Sequence, residues 1–531
     1  MTTLEKLEAM FRQGKITRRQ FLSKASALGV AAAMSPALLG SKAQAASPKK
    51  GGRLRIGVAG GSTTDSLDPG KATFPDIMMQ MTTMGFLRNC LVEQDYKGNA
   101  IPELAESWEP SAGAKRWVFN IRQGVEFHNG KTLDLDDVIF SIQHHRKESS
   151  TSILKVAFGS IKEMKKDGKH RVIIDLAEGN ADFPYLLAST RAAIVPAGTT
   201  DFDAGIGTGG YVLQDFEPGV SLSAKRNPNY WKAGRAHFDE VDVLSIADVN
   251  ARTTALKSGK IDAMNRPDRK TAHLLDRTPG LQIVNVPGAL LYTFNMLADT
   301  PPYDDNDVRL ALKYSVDREH LVKTILRGYG SVGNDQPIAS VVKYHASELP
   351  QRKYDPEKAK FHMKKAGKLD HVFKLHTADA AFAGAVDTAL LWQNHAKKAG
   401  IKLEVVREPN DGYWSNVWDK KPFSACFWFG RATCDWHFSV VYAADAPQND
   451  TNWNHPRFNE LLKAARAELD EKKRREMYVE MQQIVHDEGA VVIPMIANMV
   501  DAASNKLKFE NPAGNWELDG MRLTERWWFE S

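Results

Sequence analysis

A chain of 531 residues is too long for one hydrophobic core, so two or three domains are expected. Hydrophobic content of 43% and charged content of 25% are those of a water-soluble globular protein. The formal charge of +5 sits at the start of the chain: residues 1–45 hold seven Lys/Arg and two acids, leaving 63 of each sign in the rest, so no nucleic-acid partner is expected.

Those first residues read as an address. Thr17-Arg18-Arg19-Gln20-Phe21-Leu22 is a twin-arginine motif ahead of an apolar run from Ala25 to Leu39, and Ala43-Gln44-Ala45 supplies the small residues of a cleavage site. The run is Ala-rich and interrupted by Pro36, too short for about 30 Å of hydrocarbon. Residues 1–45 are therefore expected to be a leader handled by the Tat export machinery and cut after Ala45. The first cysteine is Cys90, so no lipid anchor is expected, and a monomeric protein of the periplasm is the reading. Cys426 and Cys434, eight apart, either pair or serve as small core residues.

In chain order, Gly51 to Ala59 reads as an opening strand and Asp76 to Leu91 as a buried helix. Trp117 to Arg122 alternates as a strand, and Asp134 is placed to cap a helix over Leu135 to His145. His144 and His145, neighbours that face different ways, read as a solvated helix end. Gly130-Lys131-Thr132 lacks the glycine spacing of a phosphate loop. Arg171 to Leu176 is a strand. Tyr211 to Phe216 and Val220 to Ala224 alternate around Glu217-Pro218-Gly219, a hairpin with its turn. Strand Phe238 to Ile246, helix Val249 to Ser258 and strand Lys260 to Ala263 form a β-α-β run, implying a parallel or mixed sheet with helices on its faces.

A seam is expected near Pro287 to Pro302. Beyond it come helix Asp307 to Ser315, a second helix capped by Asp317 and stopped by Gly328, helix Ala385 to Ala399 and strand Ile401 to Arg407. Phe458 to Leu469 and Glu471 to Asp487 read as paired helices, Ala490 to Ile496 as a buried strand, and Trp527-Trp528-Phe529 as an anchored tail.

Four ordered blocks carry a resemblance. They are LDP with LVEQDYKGNAIPELAESW, Arg122 to Ser141 (RQGVEFHNGKTLDLDDVIFS), Gly207 to Trp231 (GTGGYVLQDFEPGVSLSAKRNPNYW), and Phe294-Asn295 with VRLALKYSVDREHL. From about residue 52 onward the chain resembles the family 5 solute-binding proteins of ABC importers, receptors for oligopeptides, dipeptides, nickel and opines. That resemblance implies an α/β, two-lobe periplasmic-binding-protein fold with an inserted subdomain, mixed sheets with helices on both faces, and a hinge between lobes. It implies lobe I over 46–95, 206–290 and 501–531, the insertion over 96–205, and lobe II over 291–500. It also implies a small-molecule or peptide ligand, a permease heterodimer with its ATPases as partner, and no cofactor of the chain's own.

No Gly-x-Ser-x-Gly, His-Glu-x-x-His, Cys-x-x-Cys or Walker signature is present, which leaves an extracytoplasmic hydrolase as the rival class. The resemblance places ligand contact around Phe427 to Trp436. Peptide receptors carry a W-x-x-D motif there; this chain keeps Trp428 and puts Arg431 where the acid is expected, with Asp435 four positions on. The departure points to an anionic solute such as an opine, a modified peptide or a sugar phosphodiester. Trp436, Tyr413 and Trp414 are the neighbouring aromatic candidates, Arg431 pairing with Asp435 is the structural alternative, and no metal site is expected. A metal chelate or an oligosaccharide remains the alternative ligand.

Overall fold

The computed structural model describes residues 48–71 and 77–530; Arg18, Arg19, Ala43 and Ala45 lie outside them. The frame is one large mixed sheet. Its strands are β1 (Arg53–Val58), β2 (Tyr211–Glu217), β3 (Ser221–Arg226), β4 (Glu240–Ser245), β5 (Ala263–Asn265), β6 (Leu281–Met296), β7 (Gly330–Val332), β8 (Val372–Thr377), β9 (Lys402–Arg407), β10 (Phe423–Phe429) and β11 (Val491–Ser504). The order is β9-β8-β10-β6-β11-β5-β1-β4-β3-β2, with β7 alongside β11. β1 runs parallel to β4 and β5, and β8 parallel to β9 and β10. The expected hairpin forms as β2 and β3, with Gly219 at φ 75°, and it closes one edge of the sheet.

Two large apolar cores and a small third one (Leu256, Ile261, Met264, Leu275, Ala502) lie against this sheet among the described residues. Of the large two, one gathers Leu54 to Val284 and returns through Ala503 to Trp527; the other runs from Ala289 to Ala497. Only β6 and β11 pass between them, paired antiparallel from Leu281↔Ser504 to Asn295↔Val491. The expected seam is thus the middle of a 16-residue strand. Pro287 and Gly288 look like breakers in sequence, but they sit in the irregularity between Val286 and Leu290, where pairing skips and the strand bends. The four-stranded sheet of Ala105–Pro110, Arg116–Ile121, Arg171–Leu176 and Ile161–Asp167 shares its interior with the first core.

Local rules explain most elements. Asp134 accepts from the amides of Asp136 (2.8 Å) and Asp137 (3.3 Å), and Asp137 answers with a bond from the Asp134 amide (2.9 Å), starting the helix Leu135–Arg146. Two expectations are corrected. The helix expected to run to Leu91 covers Ile77–Met81 among the described residues and breaks at Gly85 (φ 86°), where a Cβ would lie 2.3 Å from a carboxylate oxygen of Glu525. His144 and His145 are not solvated: His144 meets Asp68 at 2.7 Å and stacks on Phe202, while buried His145 pairs with Ser152 at 2.7 Å.

Candidate functional site

The parallel strands of both halves aim their carboxyl ends at one cleft, the position where open α/β sheets bind ligands. The chain leaving β5 (Arg266 to Lys270) and the chain leaving β8 (Asp379 to Gly384) face each other across it, over a floor from β6, β10 and β11. The cavity measures about 1280 Å³. Aromatic packing shapes the floor: Tyr292 stacks on Phe382 at 4.1 Å and 9°, and Phe427 meets Phe429 edge-on at 5.5 Å. Polar groups rim it. Arg266 Nε donates to Glu517 at 2.6 Å, and Arg269 spans the Tyr292 hydroxyl (3.4 Å) and the Asn498 carbonyl (3.2 Å).

Arg431 follows directly on β10. Gly430 donates to Ala289 O at 2.6 Å, and a Cβ there would lie 2.5 Å from the Ala289 Cβ, so only glycine lets the strand end so close to β6. Thr433 then caps the helix Cys434–Val441, accepting from the Trp436 amide at 3.2 Å. Between these fixed points the Arg431 guanidinium lies 5.9 Å from the Trp436 ring centroid. Its Nε is buried without a hydrogen-bond partner, and no acid pairs with it among the described residues. Burial draws its pKa below the ordinary arginine value.

Beside it, His437 is 1% exposed and neither ring nitrogen has a partner. Burial, then the Arg431 charge, pull its pKa to about 3, so the ring is neutral, with one donor and one acceptor. An orphaned guanidinium nitrogen and an orphaned imidazole thus share one spot beside a cation–π ring. Leaving such groups unmatched is costly, and a ligand carrying an acceptor oxygen would satisfy them.

The other candidates are otherwise engaged. Asp435 pairs with Arg466 at 3.1 Å and not with Arg431; burial, reinforced by nearby Asp182, pushes its carboxyl up to about 6 despite that partner. Trp428 points to the opposite face from Phe427 and Phe429, its indole donating to Asp450 at 3.2 Å, and the Tyr413 hydroxyl donates to Ala425 O at 2.7 Å inside the lobe. Trp414 is 42% exposed and lies edge-on to the cavity-lining Phe427 at 5.6 Å, without lining the cavity itself. Trp436 packs against the core of the first lobe. The Ala181 amide donates to Arg466 O at 2.8 Å and Arg474 pairs with Asp182 at 2.7 Å, linking the two stretches outside the cavity lining. Cys426 and Cys434 are free and buried. Sequence reasoning missed Arg266 to Lys270, Asp379 to Gly384 and His437. A cationic run straight after a strand was the available signal for the first.

The model of the bacterial extracellular solute-binding proteins, family 5, matches residues 99–471. The chain belongs to that family. Among its relatives, the dipeptide-binding protein of Escherichia coli K12 is 26% identical over 464 residues, covering 80% of this chain and 86% of that one. Among solved structures, the periplasmic binding protein AgaA of A. tumefaciens R10, in complex with agropinic acid, superposes with a TM-score of 0.72 at 24% identity, over 90% of this chain and 99% of its own. The substrate-binding protein CtaP of Listeria monocytogenes reaches 0.79 at 19% identity, over 91% and 100%. The protein is thus a two-lobe solute-binding protein of the kind that serves ABC importers. No helix among its described residues is long and apolar enough to cross a membrane.

Proposed function

We propose that this solute-binding protein captures an anionic solute of the peptide or opine kind between its lobes and delivers it to a membrane permease pair. The observation that carries the anionic reading is Arg431, two residues past the cavity-lining Phe429, with no acid of its own among the described residues and the orphaned His437 beside it. A guanidinium fork suits a carboxylate or phosphate, and His437 adds one neutral donor. The aromatic floor accommodates apolar side groups, and 1280 Å³ exceeds the usual drug-sized pocket of roughly 300–1,000 Å³. Relatives and structural neighbours named for dipeptides and for agropinic acid support the solute class. Trp436 and Trp414 complete the contact set in this reading, and Asp435, Trp428 and Tyr413 hold its supports.

The same reading includes twin-arginine export through Arg18 and Arg19, cleavage after Ala45 and function as a monomer in the periplasm. It divides the mature chain into a first lobe (46–95, 206–290, 501–531), an insertion (96–205) and a second lobe (291–500). Small molecules released from protein purified out of its native periplasm are identified by mass spectrometry, and their affinity is measured by calorimetry. Arg431→Ala is expected to weaken binding of the released solute by about thirty-fold or more, the usual result of removing one partner of a buried charge pair. Arg431→Lys recovers part of the loss. Wild-type affinity in a folded Arg431→Ala protein, or a released solute with no anionic group, overturns the reading.

A further inference from the structure

A second set of ligating side chains lies on two helices that border the cavity, outside its lining. Asp317 caps the helix Arg318–Thr324, His320 stands in that helix's first turn, and His395 comes from the helix Ala385–Lys398. Nδ1 of His320 and Nε2 of His395 are 2.9 Å apart, and with one Asp317 carboxylate oxygen the three donor atoms all fall within 4.8 Å of one another. His395 directly follows Asn394, which lines the cavity, but is itself not among the lining residues, nor are Asp317 and His320.

We propose that Asp317, His320 and His395 form a site for one divalent transition-metal ion of the Zn²⁺ or Ni²⁺ class, tying the two helices together. Imidazole nitrogens and a carboxylate oxygen are the donor set such ions take. At metal–nitrogen distances of about 2.0–2.1 Å, two nitrogens 2.9 Å apart subtend roughly a right angle at the ion, and a small swing of one ring opens this to the tetrahedral value. His320 is exposed and free to swing. His395 is fixed: its ring is 5% exposed and packs near Tyr354 at 5.7 Å, and its carbonyl accepts the Tyr354 hydroxyl at 2.9 Å. One Asp317 oxygen accepts the His320 amide at 3.0 Å, which leaves the other to face the ion, with water filling the open positions.

The protons balance. The Asp317 amide donates to Nδ1 of His395 at 3.3 Å, so neutral His395 carries its proton on Nε2 and gives it to Nδ1 of His320. Ligation through Nε2 moves that proton to Nδ1 and forfeits both hydrogen bonds. The first is at the long limit of hydrogen-bond geometry, and two metal–nitrogen bonds replace them.

The test is calorimetry of the untagged chain with ZnCl₂ and with NiCl₂, beside thermal melting with and without metal. One ion per chain is expected, with a higher Tm at saturating metal. His320→Ala removes an exposed ring and leaves the core intact; it should abolish the stoichiometric binding and the Tm shift while the metal-free Tm stays. Asp317→Asn keeps the capping oxygen but replaces an anionic ligand by a neutral one, and should weaken binding by at least about tenfold. Absence of stoichiometric binding by wild type, or binding that survives His320→Ala unchanged, overturns the proposal.

Discussion

Two buried clusters of charge teach opposite lessons. In the first lobe, Glu93, Glu103 and Glu525 meet Lys232, Arg522 and Arg526, three acids against three cations, all nearly sealed from water. Arg522 grips Glu103 through both terminal nitrogens at 3.0 Å and reaches Glu525 at 2.7 Å, while Lys232 contacts all three acids within 3.0 Å. Burial pushes the Glu93 carboxyl upward, yet Arg522, Lys232 and Arg526 hold it well below the usual range. The second cluster is half-buried Arg431 with buried His437 just past β10, where the cation finds no acid among the described residues. The closed network joins the N-terminal segment, the stretch after the hairpin and the C-terminal return into one lobe. The open one leaves its guanidinium without an acid among the described residues, and the proposed anionic solute is what would supply one.

The largest effect should come from breaking the closed network. Arg522→Ala strands Glu103 and Glu525 in a water-free interior, and breaking a buried ion pair costs about 3–5 kcal/mol. Urea unfolding should show that drop in stability with little change in slope. A loss below about 1 kcal/mol would mean that Lys232 and Arg526 suffice for all three acids.

Arg431→Met sharpens the contrast from the other side. It removes a desolvated charge that has no partner to lose, so stability should stay within about 1 kcal/mol of wild type or rise. Loss on the scale of Arg522→Ala would place Arg431 among the residues that hold the fold and remove the basis for an anionic solute.

How much of this was legible in sequence follows the range of each cause. The Asp134 cap, the Glu217-Pro218-Gly219 turn and the strand Arg171–Leu176 are local matters, and local pattern located them. The helix that breaks at Gly85 depends on Glu525, 440 positions away, so its apolar pattern misled. Pro287 and Gly288 look like punctuation in sequence, and they become a strand irregularity only because β11 pairs through them. Within the site, Arg431 stood out because it departs from a motif. The small residues of Asp379 to Gly384 carry no local mark, since the meeting of β8's carboxyl end with β5's across the cleft makes them a wall. Asp435 was named as a ligand candidate, but its commitment to Arg466 needed coordinates.

The smallest effect separates two acids that burial pushes to the same place. Asp435 and Asp450 are each raised to about 6, by burial first, but Asp435 has Arg466 at 3.1 Å, whereas Asp450 accepts only neutral donors, the indoles of Trp418 (2.9 Å) and Trp428 (3.2 Å) and the amide of Asn295. A carboxyl whose folded pKa lies above its unfolded value binds its proton more tightly when folded. Its contribution is complete below the ordinary value near 3.8 and is lost as pH climbs through about 6, so stability should fall across that interval by at most about 3 kcal/mol per group. Asp450→Asn keeps an acceptor for the indoles and removes the charge. Near pH 4, where the wild-type carboxyl is protonated, it should be nearly neutral, within about 1 kcal/mol, and it should flatten part of the decline between pH 4 and 6. Asp435→Asn flattens the other part but leaves Arg466 unpaired, so at pH 7 it should cost more than Asp450→Asn. Unfolding midpoints of the two variants across pH 4 to 7 separate these outcomes. An undiminished decline in Asp450→Asn would mean that the indole donors already keep that carboxylate charged, and that partnership with neutral groups can close a buried site as completely as a cation does.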